Sequence, residues 1–166
     1  MQKIKIGFSK PNSSNKFPIY SWLIRLAQGW SDYSHVYTEV QVPEGPTIFQ
    51  ASGLSVNEES KVQFLTHAEI VIDFEFEISD EGFMKIKQFF FERLGRPYSI
   101  KQVFGLFLFH IGIKTKMFKD NDLAYVCSEL IAESMEKFMG FKFEKQLDFI
   151  EPIDIYKKII EIKNPK

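Results

Sequence analysis

Apolar and polar residues alternate through Met1-Gln2-Lys3-Ile4-Lys5-Ile6, and this period of two predicts a first strand over Lys3–Phe8. A polar loop, Lys10–Asn15, precedes Pro18–Trp30, where Ile19, Trp22, Leu23, Leu26 and Ala27 recur at helical spacing. Gly29 and Ser31-Asp32 end that helix. Two strands are expected next. In His35–Val42, Val36, Thr38, Val40 and Val42 share one face, with His35, Tyr37, Glu39 and Gln41 on the other. The turn Pro43-Glu44-Gly45-Pro46 leads into Thr47–Ser52, which sets Ile48, Gln50 and Ser52 on one face. A further strand is predicted over Ile70–Ile78.

The second half of the chain reads mainly as helix. Ser79-Asp80-Glu81 has the form of an N-cap with acidic residues in the first turn, opening a helix that runs to about Leu94 and stops at Gly95. Ser99 opens an unusually apolar helix, and Lys114–Asp122 is a polar connection. Cys127–Met139 has apolar or small residues at 127, 130, 131, 134, 135 and 138, followed by Gly140 as a helix stop. A short Ile153–Ile162 segment follows Pro152. Helices beside adjacent antiparallel strands give an α+β class. With no repeat and no linker, the 166 residues are expected to form one domain, 1–166.

Composition narrows the function classes. The chain is 45% hydrophobic with 18 Phe, a globular composition, and its net charge of −1 offers no basic excess for a phosphate backbone. Nucleic acid is therefore not the expected partner. One cysteine excludes an intramolecular disulfide and a cysteine-rich zinc site, and neither metal nor organic cofactor is expected. The longest apolar run, Val103–Ile113, is short of the roughly 20 residues that span a bilayer. The N-terminus is strand-like rather than a secretory signal, so a cytoplasmic protein is expected, with export by another route left open.

Cys127 is placed in the first turn of a helix, whose positive end favours a thiolate. That effect is worth about 0.3–1 kcal/mol, under one pKa unit, so an imidazole partner is required. A buried structural cysteine is the alternative. Among three histidines, His35 opens a strand after a Ser-Asp-Tyr-Ser turn, at a sheet edge able to face a helix N-terminus. His67 reads as a surface residue. His110 reads as core or pocket lining. Glu39 shares a strand face with His35 but lies about 13 Å along it, too far to orient the ring. Gln50 reaches His35 diagonally if the turn sets it opposite Tyr37.

Taken in order, Ser34-His35-Val36, Ile48-Phe49-Gln50-Ala51-Ser52 and Tyr125-Val126-Cys127-Ser128-Glu129-Leu130 resemble the circularly permuted NlpC/P60 peptidases. These are papain-like enzymes whose histidine precedes the cysteine. YiiX-like and lecithin:retinol-acyltransferase-like proteins belong to the same broad group. Leu94-Gly95-Arg96-Pro97-Tyr98 resembles the family's Gly-x-Pro-Tyr stretch, and Glu151-Pro152-Ile153-Asp154-Ile155-Tyr156 its closing segment. The resemblance covers about Ile4 to Tyr156.

The resemblance implies a papain-like antiparallel sheet packed against helices. It implies Cys127 as nucleophile, His35 as base and Gln50 at the third polar position, with Tyr37, Tyr98 and Ser128 toward the substrate. The family commonly has glycine where this chain has Tyr37, whose bulk is expected to narrow the cleft or shape a substrate pocket. Gln50 stands where His or Glu is frequent, and would orient the ring without adding charge. The implied activity is cleavage of an amide or peptide bond, such as one in a cell-wall peptide, through a thioester. Two alternatives are a lipid acyl ester hydrolase or acyltransferase, with Val103–Phe109 lining an acyl pocket, and a non-catalytic binding module.

Overall fold

Alternating side chains and paired turns produce one antiparallel sheet. In the computed structural model, which describes residues 1–12, 19–110, 112–113 and 124–164, the strands are β1 (Gln2–Pro11), β2 (His35–Val42), β3 (Gly45–Ser52), β4 (Ser55–Ser60) and β5 (Ala68–Ile78). The five-stranded sheet has the order β4-β3-β2-β1-β5. Six α-helices are present among the described residues: α1 (Ile19–Ala27), α2 (Lys61–His67), α3 (Asp80–Phe91), α4 (Ile100–His110), α5 (Cys127–Met139) and α6 (Pro152–Lys163). The architecture is α+β. The expected loop residues 13–15, and the polar connection over 114–122, lie outside the described residues.

The expected strands are present, β2 with the predicted limits and β1, β3 and β5 longer, and α5 has the limits that its apolar spacing predicted, ending at Gly140. One face of the sheet supplies Ile4, Ile6, Phe8, Val36, Val40 and Phe49 to the main core. Helices α3, α5 and α6 cover that face with Ile86, Phe90, Leu130, Ile131, Met135, Ile155 and Ile159, all at most 1% exposed. Stacked Phe49 and Phe90 rings, 5.1 Å apart, join sheet to helix at its centre.

Two elements were not expected: β4 and α2. A two-residue turn with Gly53 at its first central position (φ +63°) folds β4 back on β3 and pairs Gln50 with Asn57. Helix α2 has 7 residues, too few to persist alone when isolated helices below roughly 12–15 residues are marginal. Tertiary burial of Phe64 and a capping box between Ser60 and Gln63 hold it in place. It covers the second face of the sheet, where Tyr37, Ile48, Phe64 and Ala68 form a small separate cluster. Both faces of β2 are thereby buried.

Tyr37 is corrected by this arrangement. It does not narrow a cleft: it is fully buried, its ring packing on Phe64 at 4.8 Å and lying across Gly7 of β1. A Cβ at position 7 would overlap the Tyr37 ring itself. Gly7→Ala is therefore expected to destabilise the protein by about 1–3 kcal/mol as overpacking. Urea denaturation checks this, and Gly7→Ala combined with Tyr37→Ala should cost less than the sum of the two separate losses.

Candidate active site

Strand pairing fixes the first half of the site. Thr38 pairs with Phe49, and one further step of this register sets Gln50 level with Tyr37. The diagonal reach then operates as expected: His35 Nε2 lies 2.6 Å from Gln50 Oε1. Glu39 is occupied elsewhere, accepting from Lys61 Nζ at 2.8 Å.

The second half is positioned by extended chain ahead of α5. Tyr125 N–H donates to Pro97 O at 3.0 Å and Ser99 N–H to Tyr125 O at 3.0 Å. On its other side the same stretch is bonded to β4, with Val56 N–H donating to Arg96 O (2.8 Å) and Tyr98 N–H to Leu54 O (2.9 Å). Arg93 adds a side-chain anchor, donating to Tyr125 Oη and Glu133, both at 3.0 Å. The N-terminus of α5 is thereby set against the start of β2. Backbone N–H groups of Val36, Ser128 and Cys127 act on the Cys127 sulfur in the sense that favours thiolate, and Val36 directly follows His35.

Burial outweighs those groups. Desolvation pushes the Cys127 thiol up to about 11, and Cys127 is only 2% exposed. Desolvation likewise holds the His35 imidazole down to about 4, against the Gln50 hydrogen bond and with His67 lowering it further. The resting pair is neutral thiol and neutral imidazole, not a thiolate stabilised by an imidazole partner. No hydrogen bond joins sulfur and imidazole among the described residues.

Two separate cavities share walls here. His35 and Gln50 line a cleft of about 320 Å³ with Ser9, Ser34, Phe64 and His67. Cys127 and Ser128 line an apolar crevice of about 20 Å³ between α1 and α4, walled by Leu23, Ala27, Val103, Leu106 and Phe107. Ile24 and Tyr98 line both spaces. Tyr98 thus stands at the junction. Ser128 is tied down structurally, its hydroxyl donating to Ile150 O at 2.6 Å.

The chain matches no protein-family model and no curated protein.

His67 has the part-exposed side chain expected of a surface residue, but the sequence did not show its partner. Its Nε2 lies 3.1 and 3.0 Å from the two carboxylate oxygens of Glu59, and Glu59 Oε1 accepts from Gln50 Nε2 at 2.5 Å. His67 therefore belongs to the wall of the cleft rather than to a detached surface. His110 instead ends α4 in an exposed position and meets Glu151 at 2.9 Å. Glu129, one turn into α5, is pushed up to about 7 by burial. Among the described residues, no group of three or more His, Cys, Asp or Glu could hold a metal ion. No helix of the described residues is long and apolar enough to cross a membrane.

Two pH effects follow. Below its ordinary pKa near 6.5, the unfolded His35 binds a proton that the folded protein refuses down to about 4. His35 thus contributes stability that is complete above pH 6.5 and is lost as pH falls toward 4. Allowing for its partial exposure, the loss is about 2 kcal/mol. Urea midpoints at pH 7 and 4.5 should show it as the difference between the parent and His35→Asn, because Glu129, pushed up to about 7 by burial, contributes with the opposite sign over the same range. Iodoacetamide should alkylate Cys127 near pH 8 roughly 100-fold more slowly than a free thiol of pKa about 8.5.

Proposed function

We propose that the chain is a cysteine hydrolase of a permuted papain-like fold, acting on an amide or peptide bond. The observation that carries this reading is the 2.6 Å bond from His35 to Gln50, made beside the strand residue whose N–H faces the Cys127 sulfur. A buried structural cysteine needs no such oriented imidazole.

In this mechanism the base acts when substrate arrives. His35 takes the thiol proton as sulfur attacks the carbonyl carbon, and the resulting imidazolium returns it to the leaving amine. The first N–H groups of α5 are oriented to stabilise the negative oxygen of the tetrahedral intermediate. Water, deprotonated by His35, then opens the thioester, releasing the acid and regenerating the thiol. Neither charged partner has to survive alone in the resting protein. Proton transfer inside the pair avoids the desolvation that holds each one neutral.

Cavity size bears on the substrate. The cleft beside His35 has serine hydroxyls and an amide among apolar walls, which suits a peptide or amide. The lipid-ester reading draws support from the apolar residues that α1 and α4 place around Cys127. At about 20 Å³ that crevice has room for about one water, so an acyl chain would have to part the two helices. The amide reading is favoured on this ground.

Incubation with peptidoglycan fragments and with fluorogenic fatty-acyl esters tests the proposal. Mass spectrometry should find an acyl adduct on Cys127 with the fragments. Cys127→Ala should abolish both adduct and turnover, with a melting temperature close to the parent's. Turnover surviving in Cys127→Ala would remove the proposal. Adducts formed with esters alone would move the substrate to lipid.

A further inference from the structure

The hydrogen bonds around Gln50 carry an assignment that extends the hydrolase reading and rests on it. A glutamine amide accepts at one end and donates at the other, with nearly the same shape, so neighbours decide which way it points. On β4, Glu59 Oε1 stands 2.5 Å and Asn57 Oδ1 3.2 Å from Gln50 Nε2. An ionised carboxylate can only accept. Asn57 is itself oriented, because its Nδ2 donates to the carbonyl oxygens of Ser52 at 3.3 Å and Ser55 at 3.1 Å. Its oxygen is left for Gln50. His67 holds Glu59 from behind, facing both carboxylate oxygens.

We propose that Asn57 and Glu59 are positioning residues that fix the tautomer of His35 through the amide of Gln50. Both acceptors require the NH2 end of that amide, so its oxygen must face His35 and accept the Nε2 proton. The other ring nitrogen, Nδ1, then carries the lone pair, which is what a general base must present to a thiol. Neither Asn57 nor Glu59 touches the sulfur. The charge that Gln50 lacks enters the network one residue further out, at Glu59.

The test is nitrogen NMR of the 166-residue chain labelled at its histidine rings, which separates Nε2–H from Nδ1–H imidazole. His35→Asn assigns the His35 signals by their disappearance. The parent protein is expected in the Nε2–H form near neutral pH. Asn57→Ala with Glu59→Ala should free the amide, bring the Nδ1–H form to a comparable share, and slow Cys127 acylation by about twofold, in proportion to the competent tautomer lost. Adding Gln50→Glu should restore the Nε2–H form, since a carboxylate offers no donor. An Nδ1–H majority in the parent overturns the assignment, and so does an unchanged tautomer in the folded double variant. The parent spectrum decides even if the double variant fails to fold. Tautomers that respond as expected, in a protein forming no adduct on Cys127, would keep the positioning role and remove the hydrolase reading.

Discussion

Arg96, Pro97 and Tyr98 are hydrogen-bonded on two sides, to β4 on one and to the chain leading into α5 on the other. The candidate site depends on this double attachment. The strands position His35, Gln50 and Glu59 through their register, whereas Cys127 enters from a helix far away in sequence. Backbone hydrogen bonds of this kind hold such distant groups at a constant spacing together with the core packing of α5 on β2. The Arg93, Tyr125 and Glu133 cluster works in the same direction, pinning the end of α3 to the approach of α5.

Magnitudes decide the resting charge state. A helix terminus contributes about 0.3–1 kcal/mol toward a thiolate, and the backbone N–H groups at the sulfur act in the same sense. Removing the thiol from water costs more, so the balance falls on the neutral form. The same holds for His35, whose amide partner supplies orientation but no formal charge. Glu59 lies beyond that amide and is itself engaged by His67, so it acts on the ring through the direction of the Gln50 amide.

The fold was legible where burial imposes a period. Alternation identified β1, β2, β3 and β5, and helical spacing placed α5 with Cys127 at its start. The contact between His35 and Gln50 was legible as well, given a guess at one turn. The stretch from Gly53 to His67 was not, because Ser55–Ser60 buries only Val56 and Lys61–His67 only Phe64. An edge strand and a two-turn helix have too few inward residues to show a period. Gly53 as a turn residue and the capping-box spacing of Ser60 and Gln63 were the local signals there. Asn57, Glu59 and the role of His67 were hidden with those elements. Tyr37 was misread for a related reason: a helix unseen in the sequence covers the face on which it lies.

The burial of Cys127 has a consequence for its chemical lifetime. Peroxides and disulfides attack the thiolate, not the thiol, and both must reach the sulfur. A sulfur that stays protonated until about 11, with 2% of its residue exposed, presents neither the reactive form nor the access. The chain has no second cysteine to form a disulfide with an oxidised first one. Its protection against irreversible oxidation comes from the same desolvation that keeps it quiet between encounters with a reaction partner.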